Sequence, residues 1–336
     1  MHRVSCKPSI LLAIVASAGA RDIFVAPSGS GSGSIDAPFG FIQDAVDEAV
    51  AGDVIYLRQG TFAPSANIQI GKSGSRTSPI SIRPYGSEKV IVNGENMPGL
   101  INGPYGIYAR DASHNYYEGL STHDNYETGF QLEGASSNNT VINLDSYMNR
   151  DPRKNGESAD GFACKSGQGE GNVLRNARLW NNVDDGLDLY MFASPVTLEE
   201  VYAWGNGYNR WGFSPFEGDG NGFKLGISGN PPTDHVVRNS IAYKNYKKGF
   251  IDNGNPGSIT FERNTAWKNG DTGFVMRSSS SDMRKNLAVN NSNGQAQLIG
   301  AVDSSGNSWD SNDNWSDSDF HQRRRAIASL WKQNHL

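Results

Sequence analysis

Cysteine is nearly missing from this sequence. Two occur in 336 residues, Cys6 and Cys164, so no disulfide framework of the kind that staples small exported domains can hold the chain together. Charge is sparse as well: 19% of residues are Asp, Glu, Lys or Arg, and the net charge is −5. That balance excludes a general basic surface for nucleic acid, though not an acidic ligand held locally. No apolar run approaches the ~20 residues that a membrane span requires. A hydrophobic content of 37% with low net charge argues against disorder. Glycine is what the chain has in excess, 39 residues, together with Asn, Ser and Asp. Such turn-rich composition breaks long helices, which leaves a turn-rich β protein.

The first 20 residues have the pattern of a cleaved secretory signal. Arg3 and Lys7 form a basic start, Ile10 to Val15 a short apolar run, and Ala18-Gly19-Ala20 a small-residue cleavage site. The expectation is a secreted, extracellular protein whose only remaining cysteine is Cys164. Asn138, Asn290 and Asn314 carry the acceptor pattern for N-glycans. After the signal, Asp22–Val25 is strand-like. Ile42, Ala45, Val46 and Ala49 then fall on one face at helical spacing. A short amphipathic helix before a long β region suits a cap over the open end of a β stack.

Internal repetition decides the fold class. A glycine followed by a large apolar residue recurs at Gly129-Phe130, Gly161-Phe162, Gly186-Leu187, Gly222-Phe223, Gly249-Phe250 and Gly273-Phe274, with intervals of 32, 25, 36, 27 and 24 residues. A second series, Asn143, Asn176, Glu200, Asn239, Asn264 and Asn286, has spacings between 22 and 39 residues. Both share a minimum period of roughly 22 to 25 residues lengthened by insertions, and the segments between are short alternating strands. The reading is an all-β parallel solenoid, a β-helix, in which each coil buries its apolar side against its neighbours. The repeated Asn residues are expected to stack as an amide ladder. The β-helix is placed at residues 21–316, followed by an atypical tail over 317–336.

Chemistry is sought where charge violates the repeat. The position before each glycine holds Thr128, Asp160, Asp185, Asn221, Lys248 and Thr272; two positions after it stand Gln131, Ala163, Asp188, Lys224, Ile251 and Val275. Adjacent coils lie ~4.8 Å apart, so Asp160 is expected one rung from Asp185, and Asp188 one rung from Lys224. Asp184 joins them. Neighbouring carboxylates destabilise one another unless a cation, a proton or a donor intervenes, and carboxylate oxygens on different coils suit Ca2+. A solvated acidic turn is the alternative for the Asp184–Asp188 segment. Lys224 reads either as a plain ion-pair partner or, once a cation offsets the carboxylates, as a general base. His114, His123, His235 and His321 are scattered and read as surface or hydrogen-bonded structure.

Three segments carry a family resemblance: Ala159-Asp160-Gly161-Phe162, Asp184-Asp185-Gly186-Leu187-Asp188 and Asn221-Gly222-Phe223-Lys224-Leu225-Gly226. In this order and spacing they resemble the family 9 polysaccharide lyases, secreted pectate lyases built as right-handed parallel β-helices. The resemblance extends more loosely from about Asp22 to Phe320. It implies that Asp160, Asp184, Asp185 and Asp188 hold Ca2+ and that Lys224 is the catalytic base. The implied reaction is β-elimination on α-1,4-linked polygalacturonate by a monomer with no membrane or nucleic-acid partner. Lys165, on the strand after Asp160, is a candidate for pairing with a uronate carboxylate. A polygalacturonase-type hydrolase, a lyase on another uronate polymer and a non-catalytic polysaccharide-binding β-helix remain alternatives. The family usually continues past Phe320 with more structured sequence, whereas here the chain turns to His321-Gln322-Arg323-Arg324-Arg325.

Overall fold

The computed structural model describes residues 19–97, 105–311 and 316–317. The signal segment before residue 19, Asn314, His321 and the tail beyond Asp317 lie outside these residues.

Apolar residues recurring once per coil generate three parallel sheets of 11, 9 and 9 strands. Each full coil contributes one strand to each sheet and then repeats one rung on. The glycine-plus-apolar marker keeps its register despite unequal intervals: Phe130, Phe162, Leu187, Phe223, Phe250 and Phe274 are successive partners in one sheet. All six are buried. Neighbouring phenylalanines of the row stack inside the solenoid, as with Phe223 on Phe250 at 4.5 Å and Phe250 on Phe274 at 4.8 Å between centroids. The extra residues of the long intervals are looped out at turns, chiefly over 148–161 and 205–222, so insertions do not disturb the core. Cys164 is buried and unpaired within that core.

The helix spans Ile42–Glu48 and buries Ile42, Ala45 and Val46. It packs against the strands Asp22–Val25, Val54–Leu57 and Ile68–Ile70, which places the expected cap at the first coil.

The asparagines expected to stack fall into two rows. Asn143, Asn176, Glu200 and Asn239 do form one row, and Asn176 Nδ2 donates to Asn143 Oδ1 at 2.6 Å as expected, but it is a turn row with positive φ (51° to 56°), continued in the next coils by Arg263 and Lys285. Asn264 and Asn286 stand one residue later and are buried, in a ladder that runs on to Asn307. The long amide ladder is a different set: Asn125, Asn149, Asn182, Asn206, Asn245, Asn269 and Asn291, each Nδ2 donating to the next Oδ1 at 2.7 to 3.1 Å. Turn geometry favours Asn at positive φ and ladder geometry favours Asn facing the core. Both rows lie near turns, and composition alone merges them.

Candidate active site and metal centre

The site is built on three adjacent strands, Phe162–Gly167, Leu187–Asp188 and Phe223–Lys224. Side chains alternate along a strand. With Phe162, Leu187 and Phe223 turned into the core, the next residues face outward, and Ala163, Asp188 and Lys224 are consecutive partners. Asp160 and Asp185 stand one residue before the repeated glycine, where the chain enters the strand. A Cβ on Gly186 would come within 2.7 Å of the Gly222 carbonyl oxygen, so these coils approach too closely for any other residue there.

The sequence-assigned residues converge. Asp160 Oδ1 accepts the Asp185 backbone N–H at 3.0 Å, and its Oδ2 lies 2.6 Å from Lys165 Nζ. Asp184 accepts the backbone N–H groups of Ser158 at 2.8 Å and Asp219 at 2.5 Å. Asp185 Oδ1 takes the Asn221 backbone and side-chain N–H groups at 2.6 and 3.0 Å. Asp188 Oδ1 accepts the Tyr190 N–H at 2.9 Å. Lys224 Nζ is 3.4 Å from both Asp185 Oδ2 and Asp188 Oδ2 and 2.9 Å from Asp219 Oδ2, with the Tyr190 ring 5.5 Å away. All four assigned aspartates are buried, and the Lys224 side chain is 11% exposed.

Burial of so much like charge has a cost. It pushes the carboxyls of Asp160 and Asp185 well above the usual carboxylate range, and Asp184 upward too. Burial also opposes the Lys224 ammonium, but Asp185, Asp188, Asp184 and Asp219 outweigh it and hold the lysine protonated. Lys165 is likewise raised, by Asp160 and Asp188 against burial. One oxygen is left over: Asp185 Oδ2 is buried with no hydrogen-bond donor. Ligand oxygens of Asp160, Asp185 and Asp188 lie within 4.8 Å of one another, as do those of Asp184, Asp185 and Asp219. An all-oxygen set with an orphaned buried acceptor fits a hard divalent cation.

Lys165 is placed between Asp160 Oδ2 and Asp188 Oδ2, at 2.6 and 3.0 Å, with its side chain 12% exposed. It is part of the carboxylate cluster, not a solvated surface lysine. Asp219 was invisible to the repeat alignment because it lies in the 205–222 insertion. Its one signal is the acidic Glu217-Gly218-Asp219-Gly220 run immediately before Asn221-Gly222. Of the histidines, His235 is buried and accepts the Val196 N–H through Nδ1 at 3.1 Å. His123 bonds Asp124 and stacks on Tyr147. No histidine belongs to the carboxylate groups among the described residues.

Comparison with known proteins extends this picture. A family profile described as the Pel9A-like, right handed beta helix region matches residues 23–108 and 100–293. Pectate lyase PEL9 of Emericella nidulans is 50% identical over 353 residues, covering 90% of this chain and 86% of that protein. Pectate lyase L of Dickeya chrysanthemi is 34% identical, with 94% and 81% covered. Among solved structures, pectate lyase Pel9A superposes with a TM-score of 0.72 at 30% identity, over 90% of this chain and 83% of that one. A rhamnogalacturonan lyase superposes at 0.73 with 26% identity, over 89% and 90%.

Proposed function

The chain belongs to polysaccharide lyase family 9, the Pel9A-like right-handed β-helix pectate lyases, and from that premise we propose that it cleaves α-1,4-polygalacturonate by β-elimination with Lys224 as the base. The observation that carries this reading is the position of Lys224, whose ammonium touches the buried carboxylates of Asp185 and Asp188 and the half-exposed Asp219 while its side chain stays 11% exposed. Asp160, Asp184, Asp185 and Asp188 would hold the cation. Ca2+ suits their oxygens, and when bound it supplies Lewis-acid stabilisation of charge on the substrate carboxylate.

Lys224 is a base only as the amine, so the charge of Asp184, Asp185 and Asp188 must be offset before it works. The amine then takes the proton from C5, which is acidic because it lies next to the C6 carboxylate. The electron pair forms the C4–C5 double bond, and the C4–O bond breaks. The leaving oxygen is protonated from solvent, and Lys224 returns its proton to solvent. No water is added across the bond. Lys165 competes with a cation for Asp160 and Asp188, so a filled site frees its ammonium for a uronate carboxylate.

Secretion through the 1–20 segment and action as a monomer complete the proposal. No described helix is long and apolar enough to cross a membrane. The test is ultraviolet absorbance of unsaturated uronate during incubation with polygalacturonate, with calcium and then with excess chelator. Growth that calcium supports and chelator stops is the expected result; saturated products with new reducing ends would replace elimination by hydrolysis. A second reading, elimination on a rhamnogalacturonan backbone, is favoured by the 0.73 superposition on a rhamnogalacturonan lyase. It predicts faster product release from that polymer than from polygalacturonate.

A further inference from the structure

Beside the carboxylate cluster lies a second group of buried charge. Glu127 is 3% exposed and immediately precedes Thr128, whose hydroxyl lies 3.4 Å from Asp160 Oδ2. It therefore stands one coil toward the N-terminal end from Asp160. Its Oε1 accepts from Lys154 Nζ at 3.0 Å. Asp151 is also buried, with Oδ2 3.8 Å from the same ammonium and without a hydrogen-bond donor of its own. The Asp151 Oδ1 accepts the backbone N–H groups of Arg153 and Lys154 at 3.0 and 3.2 Å. The loop is further tied to the neighbouring insertion by Glu217 N–H on the Asn155 carbonyl at 3.0 Å.

We propose that Lys154 binds a uronate carboxylate of the polymer beside Glu127, whose coil stands three rungs to the N-terminal side of Lys224's, and so helps set the enzyme's preference for unesterified pectate. This rests on the polygalacturonate reading above. A lysine serving only to neutralise buried carboxylates would be buried with them, as Lys165 is. Lys154 instead leaves 48% of its side chain exposed while its backbone is fixed by Asp151. A half-exposed lysine side chain whose ammonium is already held by Glu127 meets an incoming anion with little further loss of side-chain freedom. Burial pushes the Glu127 carboxyl up to about 7, against the pull of Lys154, so near neutral pH Glu127 is an incomplete counter-ion and an added carboxylate has an unfilled role.

The experiment measures binding of short oligogalacturonates to calcium-loaded Lys224→Ala protein, with and without Lys154→Gln, and KM for both Lys154 forms in the active enzyme. The expected result is about tenfold weaker binding and a matching rise in KM, with kcat within about twofold, the size of one charge-assisted contact. Lys154→Arg should restore most of the loss, and the gap should narrow as the substrate's methyl esterification rises. Unchanged affinity for Lys154→Gln overturns the assignment, as does a KM rise equal at every level of esterification, which would mark a structural role. Failure of the wild type to form unsaturated product strikes the underlying reading instead, and the binding comparison still decides Lys154.

Discussion

Lys224 holds its ammonium 3.4 Å from Asp185 Oδ2, a buried oxygen paired by charge to the lysine but accepting no well-formed hydrogen bond. The proposed base and a proposed cation ligand therefore meet at one atom. In that reading the contact couples cation uptake to proton abstraction, and it separates the consequences of removing either partner.

Lys224→Ala should lower kcat by about 10²- to 10⁴-fold, the usual contribution of a general base, while calcium still raises the melting temperature. The aspartates that hold the cation remain, and the competing ammonium is gone. Calcium titration followed by thermal unfolding checks the binding half, and product absorbance checks the kinetic half. Turnover near the wild-type rate would remove Lys224 from the mechanism.

Asp184→Asn removes charge but leaves a carbonyl oxygen able to accept the Ser158 and Asp219 N–H groups. Fold should persist, calcium should bind more weakly, and lost activity should return in part at higher calcium. An activity defect that no amount of calcium relieves would show that Asp184 is not a ligand.

Lys165→Met tests the competition at Asp160 and Asp188. The substitution deletes an ammonium 2.6 and 3.0 Å from two ligand oxygens and keeps an unbranched stem. Calcium affinity should rise, because the cation no longer displaces a resident charge. KM for polygalacturonate should rise in the same variant. Tighter calcium binding with unchanged KM would confine Lys165 to the cluster.

How much of this was legible in the sequence depended on the repeat. Phe130 to Phe274 could be aligned because each coil needs one large apolar residue at the same core position, and Asp160, Asp185, Asp188 and Lys224 came with that alignment. Asp219 and Lys154 could not be found this way. They lie in insertions that have no counterpart in neighbouring coils, so only folding brings Asp219 to Lys224 and Lys154 to Glu127. The asparagines were legible only in part, Asn264 and Asn286 laddering as expected, because turn row and buried ladder use the same residue type and side-chain direction separates them.

That distinction has energetic content. Asn206 accepts from the backbone N–H and Nδ2 of Asn182 and donates to the Leu179 carbonyl and Asn245 Oδ1. Asn206→Ala strands several buried groups and should cost about 2 to 4 kcal/mol. Asn239, at φ 51° in the turn row, loses one exposed contact with Arg263 and should cost about 1 kcal/mol on change to Ala. Equal costs in denaturant unfolding would contradict the ladder assignment.

His235 should make the fold acid-sensitive. Burial lowers its pKa to about 3, against ~6.5 in the unfolded chain. The imidazole accepts the Val196 N–H through Nδ1, so it is neutral in the fold and must stay neutral. Between about pH 6.5 and 3 the unfolded chain binds one more proton than the native state at this site, and stability falls as pH falls through that window. At pH 4 the single histidine accounts for about 3 kcal/mol of the loss. His235→Asn keeps an acceptor for the Val196 N–H and has no such proton. Whatever the lost ring volume costs in absolute stability, the slope of unfolding free energy against pH should flatten by close to one proton relative to the wild type. Parallel slopes for the two proteins in urea unfolding from pH 7 to pH 4 would mean that His235 is protonated in the native fold.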